Sequence, residues 1–240
     1  MKILLIGLDD TDNETSPGTG WLARQLAREC KARGLEPVGI TRHQFPQDPR
    51  IPYTSHNSGA CLAVASDNGA EEQADFAYNF VGDLSAPGSD PGVCVVAQDT
   101  VSQTVIDFGL LTTQEVVQMS DAMDLAKAQG IDLRPLGGEG IGVIGALASV
   151  GLRAGGMEGR FIALPGLRDI AVRVRSEDIT KLGIDLEHAE GRKPNQEDEY
   201  ETFQWVRPNL IGGKPVWRIE WSNEHNAWIP IDRKRSRPLE

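Results

Sequence analysis

The apolar run Ile3-Leu4-Leu5-Ile6-Gly7-Leu8 ends directly on Asp9-Asp10-Thr11-Asp12, and that junction constrains the fold more than any other feature of the chain. Six consecutive apolar residues read as a strand covered on both faces. Three carboxylates within four positions repel one another and cannot be buried unpaired. The strand must therefore run through a core and release its acids at an open end, where a bound cation relieves the repulsion. Mg²⁺ takes hard oxygen ligands and bridges a few carboxylates to substrate phosphates, so Asp9, Asp10 and Asp12 are the expected metal ligands. The alternative is that one acid caps the next helix while the others are solvated, with Asp12 and Asn13 doing capping or turn work.

Pro17-Gly18-Thr19-Gly20 follows at once. Gly18 and Gly20 flank one hydroxyl with two residues that have no side chain, at the start of a helical pattern whose dipole favours an anion. Thr19 is thus a candidate to bind or accept phosphate, or else a plain helix cap. A second cluster, Gly137, Gly138, Gly140 and Gly142, either cradles phosphate through backbone N–H groups or permits close helix packing. It lacks the Lys-Ser/Thr ending of a P-loop. Between the two, Thr54-Ser55-His56-Asn57-Ser58-Gly59 precedes an apolar strand and is expected to line the same cleft if the strands are neighbours. His56 reads as a polar loop residue rather than a metal ligand, and is a candidate for nucleotide binding. His43, His188 and His225 show no metal or triad spacing and carry no assignment.

The rest of the chain alternates strand and helix signals, which favours an α/β layer architecture. Leu22, Leu26 and Cys30 recur at helical spacing, with Gly34 at the end. Residues 37–41, 60–65 and 93–97 read as strands, 70–84 as a helix, and 85–92 as loop. Val116, Met119, Met123 and Ala126 keep helical spacing up to Gly130. Leu133 leads into the glycine cluster, and Val143, Leu147 and Val150 mark a further helix. Beyond about Gly155 β-branched and aromatic runs take over at 161–164, 170–174, 203–206 and 216–221. The expected division is a mixed-sheet α/β domain over 1–155 and a smaller, sheet-rich α+β domain over 156–240. Ile211-Gly212-Gly213-Lys214 is expected to turn a hairpin, and Trp205, Trp217, Trp221 and Trp228 to pack in a core. The acidic run 197–199 and the basic run 233–237 read as solvated surface.

A chain of 240 residues with 40% hydrophobic and 25% charged residues is an ordinary globular one, long enough to bury a core without staples. Its three cysteines, Cys30, Cys61 and Cys94, have no CxxC spacing, so neither a disulfide framework nor a zinc ribbon is expected. The apolar run at the start is too short for a membrane span or signal segment, which leads to an expectation of a cytoplasmic protein. With 24 basic and 35 acidic residues the formal charge is −11, which opposes long-range capture of RNA.

The motifs Gly7-Leu8-Asp9-Asp10-Thr11-Asp12 and Gly18-Thr19-Gly20-Trp21-Leu22-Ala23 resemble the N-terminal signature of the archaeal tRNA-isoleucine agmatinylcytidine synthetase family. Ile51-Pro52-Tyr53-Thr54 through Ser58-Gly59-Ala60 is similar to its second motif, and Gly142-Val143-Ile144-Gly145-Ala146-Leu147-Ala148 with Gly151 to its Gly-rich helix. The resemblance spans about residues 3 to 152 and fades beyond. It implies a kinase-like domain followed by a ferredoxin-like one. It also implies ATP and Mg²⁺ as cofactors, and activation of a tRNA cytidine followed by displacement by an amine. In that resemblance Thr19 falls on the phosphorylatable threonine, Asp9, Asp10 and Asp12 fall on the metal-binding aspartates, and His56 stands where the family has an arginine. The family's OB-fold and zinc-ribbon domains have no counterpart in these 240 residues, so the acceptor is expected to be a small molecule or RNA delivered by a partner.

Residues and resemblance together lead to an ATP- and Mg²⁺-dependent phosphotransferase or ligase. Asp9, Asp12 and Thr19 are its catalytic candidates, and Gly18, Gly20, Gly137, Gly138, Gly140 and His56 its nucleotide-binding ones. The alternatives are a metal-dependent phosphohydrolase and a non-catalytic nucleotide-binding subunit.

Overall fold

A computed structural model describes residues 2–51, 56–67 and 70–231. Residues 52–55 of the second motif and the basic run 233–237 lie outside the described residues. The first strand, β1 (Lys2–Asp9), is followed by α1 (Thr19–Ala32), β2 (Glu36–Gln44), β3 (Ser58–Ser66), α2 (Ala70–Leu84) and β4 (Gly92–Ala97). Then come α3 (Gln103–Thr112), α4 (Met119–Gln129), β5 (Asp132–Pro135) and α5 (Val143–Gly155). These ten elements form a three-layer sandwich. The strands lie in the order β5-β4-β1-β3-β2, and every pairing among them is antiparallel. The fold is thus mixed α/β, with crossovers that return each strand against the direction of its neighbour.

β1 is buried on both faces, as its apolar run requires. Its alternate residues feed two cores: Leu5 packs with Cys61, Cys94, Val105 and Leu147 under α3, α4 and α5, while Ile6 and Leu8 pack with Leu22, Leu26, Cys30 and Val81 under α1 and α2. The three cysteines are free and buried. Burial pushes the thiols of Cys30 and Cys61 up to about 12, so they are inert apolar fillers. No helix among the described residues is long and apolar enough to cross a membrane.

The sheet does not stop at residue 155. β6 (Arg160–Ala163) pairs with β2 and, through Asn209, with β10 (Asn209–Ile211). The path then continues through β11 (Lys214–Ser222), β12 (Ala227–Pro230), β9 (Tyr200–Glu201) and β7 (Arg173–Val174), with β8 (Asp185–His188) pairing β11. A short helix, α6 (Ser176–Thr180), covers this part. A third core of Ile179, Ile184, Tyr200, Trp217, Ile219 and Trp228 lies here. Gly212 and Gly213, at φ 59° and 76°, make the expected two-residue hairpin turn between β10 and β11.

Four local expectations are corrected. Residues 113–118 are not helix: α3 ends at Thr112 and α4 starts at Met119, so Val116 belongs to the connecting loop. Residues 203–206 are turn and loop, not strand, with Phe203 and Gln204 in the left-handed region at φ 51° and 55°, and Trp205 is 60% exposed. Only Arg173 and Val174 of the run 170–174 form strand. Asp198 is also no solvated residue. It is buried and accepts from Trp228 Nε1 at 3.0 Å, Asn195 N at 2.9 Å and Arg192. Burial pushes its carboxyl up, but those donors outweigh it and hold the group below its ordinary value.

Candidate functional site

β1 is flanked by β3 and β4, and its last residues, Leu8 and Asp9, sit opposite Ala60, Val93 and Gly92. The chain leaves the sheet there with Asp10 in the left-handed region at φ 52°, a conformation Asp tolerates better than most residues. Asn13 Oδ1 then accepts from Thr15 N and Ser16 N, both at 3.0 Å, which closes the acidic loop and brings Thr19 back over it. A cavity of about 270 Å³ opens at this strand end, lined by Asp9, Asp10, Asp12, Thr19, Arg50, His56, Glu115, Gly142 and Gly145, with apolar walls from Phe45, Ile141 and Ile144.

Thr19 is buried and its hydroxyl is held from two sides. Oγ1 accepts from Thr11 Oγ1 at 3.1 Å and from Thr11 N at 3.4 Å, and it donates to Asp12 Oδ1 at 2.9 Å. The same Asp12 oxygen accepts from Thr19 N at 3.1 Å. Asp12 therefore satisfies the first N–H of α1, the capping work the sequence offered for one acid, and holds the Thr19 hydroxyl with the same oxygen.

The acids are electrostatically strained. Burial first, then the neighbouring Asp10 and Asp12, push the Asp9 carboxyl up to about 8. Burial, Asp90 and Asp12 push Asp10 up to about 6. Four carboxylates line the cavity, against the guanidinium of Arg50. A triphosphate can enter such a space only with a cation that neutralises both sides. The donor set fits such a cation in a limited sense. Among the described residues no three His, Cys, Asp or Glu side chains are grouped closely enough to cage a metal by themselves. Asp9 and Asp10 suit an ion that brings phosphate and water oxygens as its remaining ligands.

Glycines let α5 approach this close. A Cβ on Gly145 would lie 1.8 Å from Asp9 Oδ2, and one on Gly92 would lie 2.1 Å from the Gly142 carbonyl carbon. The N-terminal part of α5 thereby packs directly against Asp9 on the cavity wall. Gly137, Gly138 and Gly140 line neither this cavity nor its neighbour. Their loop closes on a carboxylate of the protein itself: Gly140 N donates to Asp90 Oδ1 at 3.1 Å, and a Cβ on Gly138 would lie 1.6 Å from that oxygen. The expected phosphate cradle is thus filled by Asp90.

A second cleft of about 280 Å³ adjoins the first. Asp12, Thr19, His56 and Ser58 line both, and Gly18, Gly20, Arg24, Arg42 and Arg207 line the second. The three arginines come from α1, β2 and the stretch before β10, so no local pattern announces them. The loop 113–118 on the first cavity was missed because Val116 keeps step with the helical spacing of Met119 and Met123. Gly145 could have been found, since it lies in the Gly-rich helix motif.

No family model matches the chain. The isoleucine-tRNA 2-agmatinylcytidine synthetase TiaS of Pyrococcus horikoshii is 30% identical over 154 residues, which cover 62% of this chain and 35% of the relative. An uncharacterized protein of Methanocaldococcus jannaschii is 26% identical over 156 residues, covering 63% of this chain and 50% of the relative. This chain therefore spans between a third and a half of the length of these curated relatives. Among solved structures, the complex of TiaS with its tRNA and ATP superposes with a TM-score of 0.53 at 26% identity, over 63% of this chain and 36% of that one. The complex of TiaS with tRNA, AMPCPP and agmatine does so with a TM-score of 0.52 at 25% identity, over 62% and 36%. In sequence and in fold, the N-terminal part of this chain is TiaS-like.

Proposed function

We propose that this chain is the catalytic part of an ATP-dependent, ligase-type enzyme that binds ATP in the acid-lined cavity and activates an acceptor in the adjoining cleft. The observation that carries this is Thr19, a residue that lines both spaces and whose hydroxyl donates to Asp12 at 2.9 Å. A hydroxyl paired with a carboxylate can lose its proton to that carboxylate as its oxygen attacks. In the proposed step the Thr19 oxygen bonds to the γ-phosphorus, the bond to the β–γ bridging oxygen breaks, and ADP leaves with that electron pair. The Thr19 proton passes to Asp12. The phosphoryl group then sits at the boundary of the two spaces, ready for transfer to an acceptor oxygen that an amine can later displace.

Asp9 and Asp10 would hold Mg²⁺, which when bound supplies charge neutralisation on the phosphate oxygens. The N-terminal end of α5, with Gly142 and Gly145 beside Asp9, favours the anion through the helix dipole. Likeness to a protein crystallised with ATP, and with AMPCPP and agmatine, supports both the nucleotide and the class of nucleophile.

The test is calorimetric titration with a non-hydrolysable ATP analogue, with and without Mg²⁺, on wild type and Asp9→Asn. Magnesium-dependent binding that drops at least tenfold in the mutant is expected. No binding by folded wild type would remove the proposal.

A further inference from the structure

The acidic cavity has a basic neighbour whose charge exceeds that of the acids around it. Arg24, on α1, folds back over the first turn: a Cβ on Gly20 would lie 3.7 Å from Arg24 Nη1. Arg42, on β2, is fixed by donating from Nε to Ser58 Oγ at 2.8 Å. Arg207 stacks its guanidinium on the Trp205 ring at 4.0 Å, and the next residue, Pro208, is tied to β6 by accepting from Phe161 N at 2.8 Å. All three are partly buried and line the second cleft, where among the described residues Asp12 is the one acidic side chain. Among the described residues none of the three is in an ion pair.

Three guanidiniums against one carboxylate leave a local surplus of two positive charges on a chain whose formal charge is −11. Burial, with repulsion from Arg24, Arg168, Arg42 and Arg160, pushes Arg207 down to about 10, and burial lowers Arg24 and Arg42 as well. A dianion seated among them relieves that repulsion, and guanidinium forks match phosphate oxygens in pairs.

We propose that the second cleft binds a small phosphate monoester, the acceptor of the reaction, with Arg24, Arg42 and Arg207 holding its phosphate. The proposal rests on the reading of Thr19 as the group-transfer residue, since Thr19 forms the wall between this cleft and the nucleotide cavity. A monoester carries a charge approaching −2 at neutral pH, which matches the local surplus. An RNA strand fits less well, because it needs a basic track along which successive phosphates lie. Here the arginines converge on one space of about 280 Å³. The C-terminal part of the chain thereby completes the site, through Arg207.

The test titrates the whole chain with ribose 5-phosphate, ribose, and a hexaribonucleotide, alongside the ATP analogue with Mg²⁺. Ribose 5-phosphate is expected to bind, ribose not, and Arg207→Ala to weaken the phosphate ester at least tenfold while leaving the ATP analogue within twofold. Arg24→Gln, on a rigid helix, should repeat the loss without disturbing the Arg207 loop. Lys181→Ala, an equal charge change at an exposed residue just past α6, should leave it within twofold. Equal affinity for ribose, or unchanged affinity in both folded arginine variants, would overturn the proposal. So would a hexaribonucleotide that binds wild type tenfold tighter than ribose 5-phosphate does. Failure of the ATP analogue to bind wild type would instead strike the proposed function, so the two failures are distinguishable.

Discussion

Asp9 shows most sharply what the site costs the fold. Its carboxyl is raised from 3.8 to about 8 by burial and by the neighbouring acids, so the folded chain holds that proton more tightly than the unfolded chain does. The associated stability is fully present below about pH 4 and is lost as pH rises through about 8. Asp9→Asn removes the charge at every pH. In metal-free protein at pH 8.5 it should therefore raise stability, on the order of 2 kcal/mol once access of water through the cavity is discounted. At pH 4 the gain should shrink toward zero. Urea denaturation at the two pH values measures both quantities, and a gain that does not grow with pH would refute the account. His43 behaves in the opposite sense. Burial, with Arg153 nearby, pushes it down to about 3, and its Nε2 pairs with Thr41 Oγ1 at 2.8 Å. The stability tied to a neutral His43 is present above about pH 6.5 and lost as pH falls toward 3, so His43→Gln should flatten the acid limb of a stability–pH curve. The aspartates were legible as a site because three closely spaced charges at the end of an apolar strand repel one another and call for a counter-ion. His43 was not, because its environment is made by residues far away in sequence, such as Arg153 and Gly159.

Elements were legible wherever apolar periodicity ran uninterrupted, as in β1, α1, β3, β4 and α5. They failed where side chains bond to backbone. Phe203 and Gln204 look like strand residues, yet Glu201 Oε1 and Thr202 Oγ1 accept from their N–H groups at 3.3 Å and 3.2 Å and hold them in a turn. Val116 keeps step with the helical spacing of Met119 and Met123, but its loop faces the cavity. The glycine cluster was visible, while its occupant, Asp90, some fifty residues away, was not. The packing of α5 on β1 and β4 gives a contrast in glycine substitutions. Gly145→Ala would put a methyl 1.8 Å from Asp9 Oδ2, so helix or carboxylate must move. The expected loss is about 1–3 kcal/mol, with weakened magnesium-dependent nucleotide binding. Gly82, in α2, has open space around its Cβ position, and Gly82→Ala should stabilise by about 0.5–1 kcal/mol. Urea midpoints for both variants check the pair. A Gly145→Ala protein with wild-type stability and nucleotide affinity would remove the close approach as a design feature of the site.

Over the whole molecule, one sheet runs through two regions with separate cores. The N-terminal sandwich has two cores, on the two faces of β1. The C-terminal part has one smaller core, in which Trp217 and Trp228 are the largest fully buried side chains. The seam is thin: β6 and β10 share the register pair Arg160 and Asn209, reinforced by Phe161 N donating to Pro208 O and Leu210 N donating to Gly159 O. The composition shift near Gly155 was visible in the sequence, whereas the continuity of the sheet was not, because a single bridging strand leaves no periodic signal. Four of the five tryptophans lie beyond residue 200, while α1 to α5 lie before residue 156. Tryptophan fluorescence and the far-ultraviolet helix signal therefore report different regions. The smaller core buries less apolar surface, so in ligand-free protein the fluorescence midpoint should fall several degrees below the helix midpoint on heating. Arg24 and Arg42 belong to one region and Arg207 to the other, so a phosphate ester bridging them binds only when both are folded. At about one hundred times its dissociation constant such a ligand adds about 2.7 kcal/mol to the folded state, enough to raise the fluorescence midpoint and close the gap. Coincident midpoints without ligand would make the chain a single cooperative unit. A gap that persists at saturation would mean the ligand touches one side of the seam alone, which a cleft completed by Arg207 does not allow.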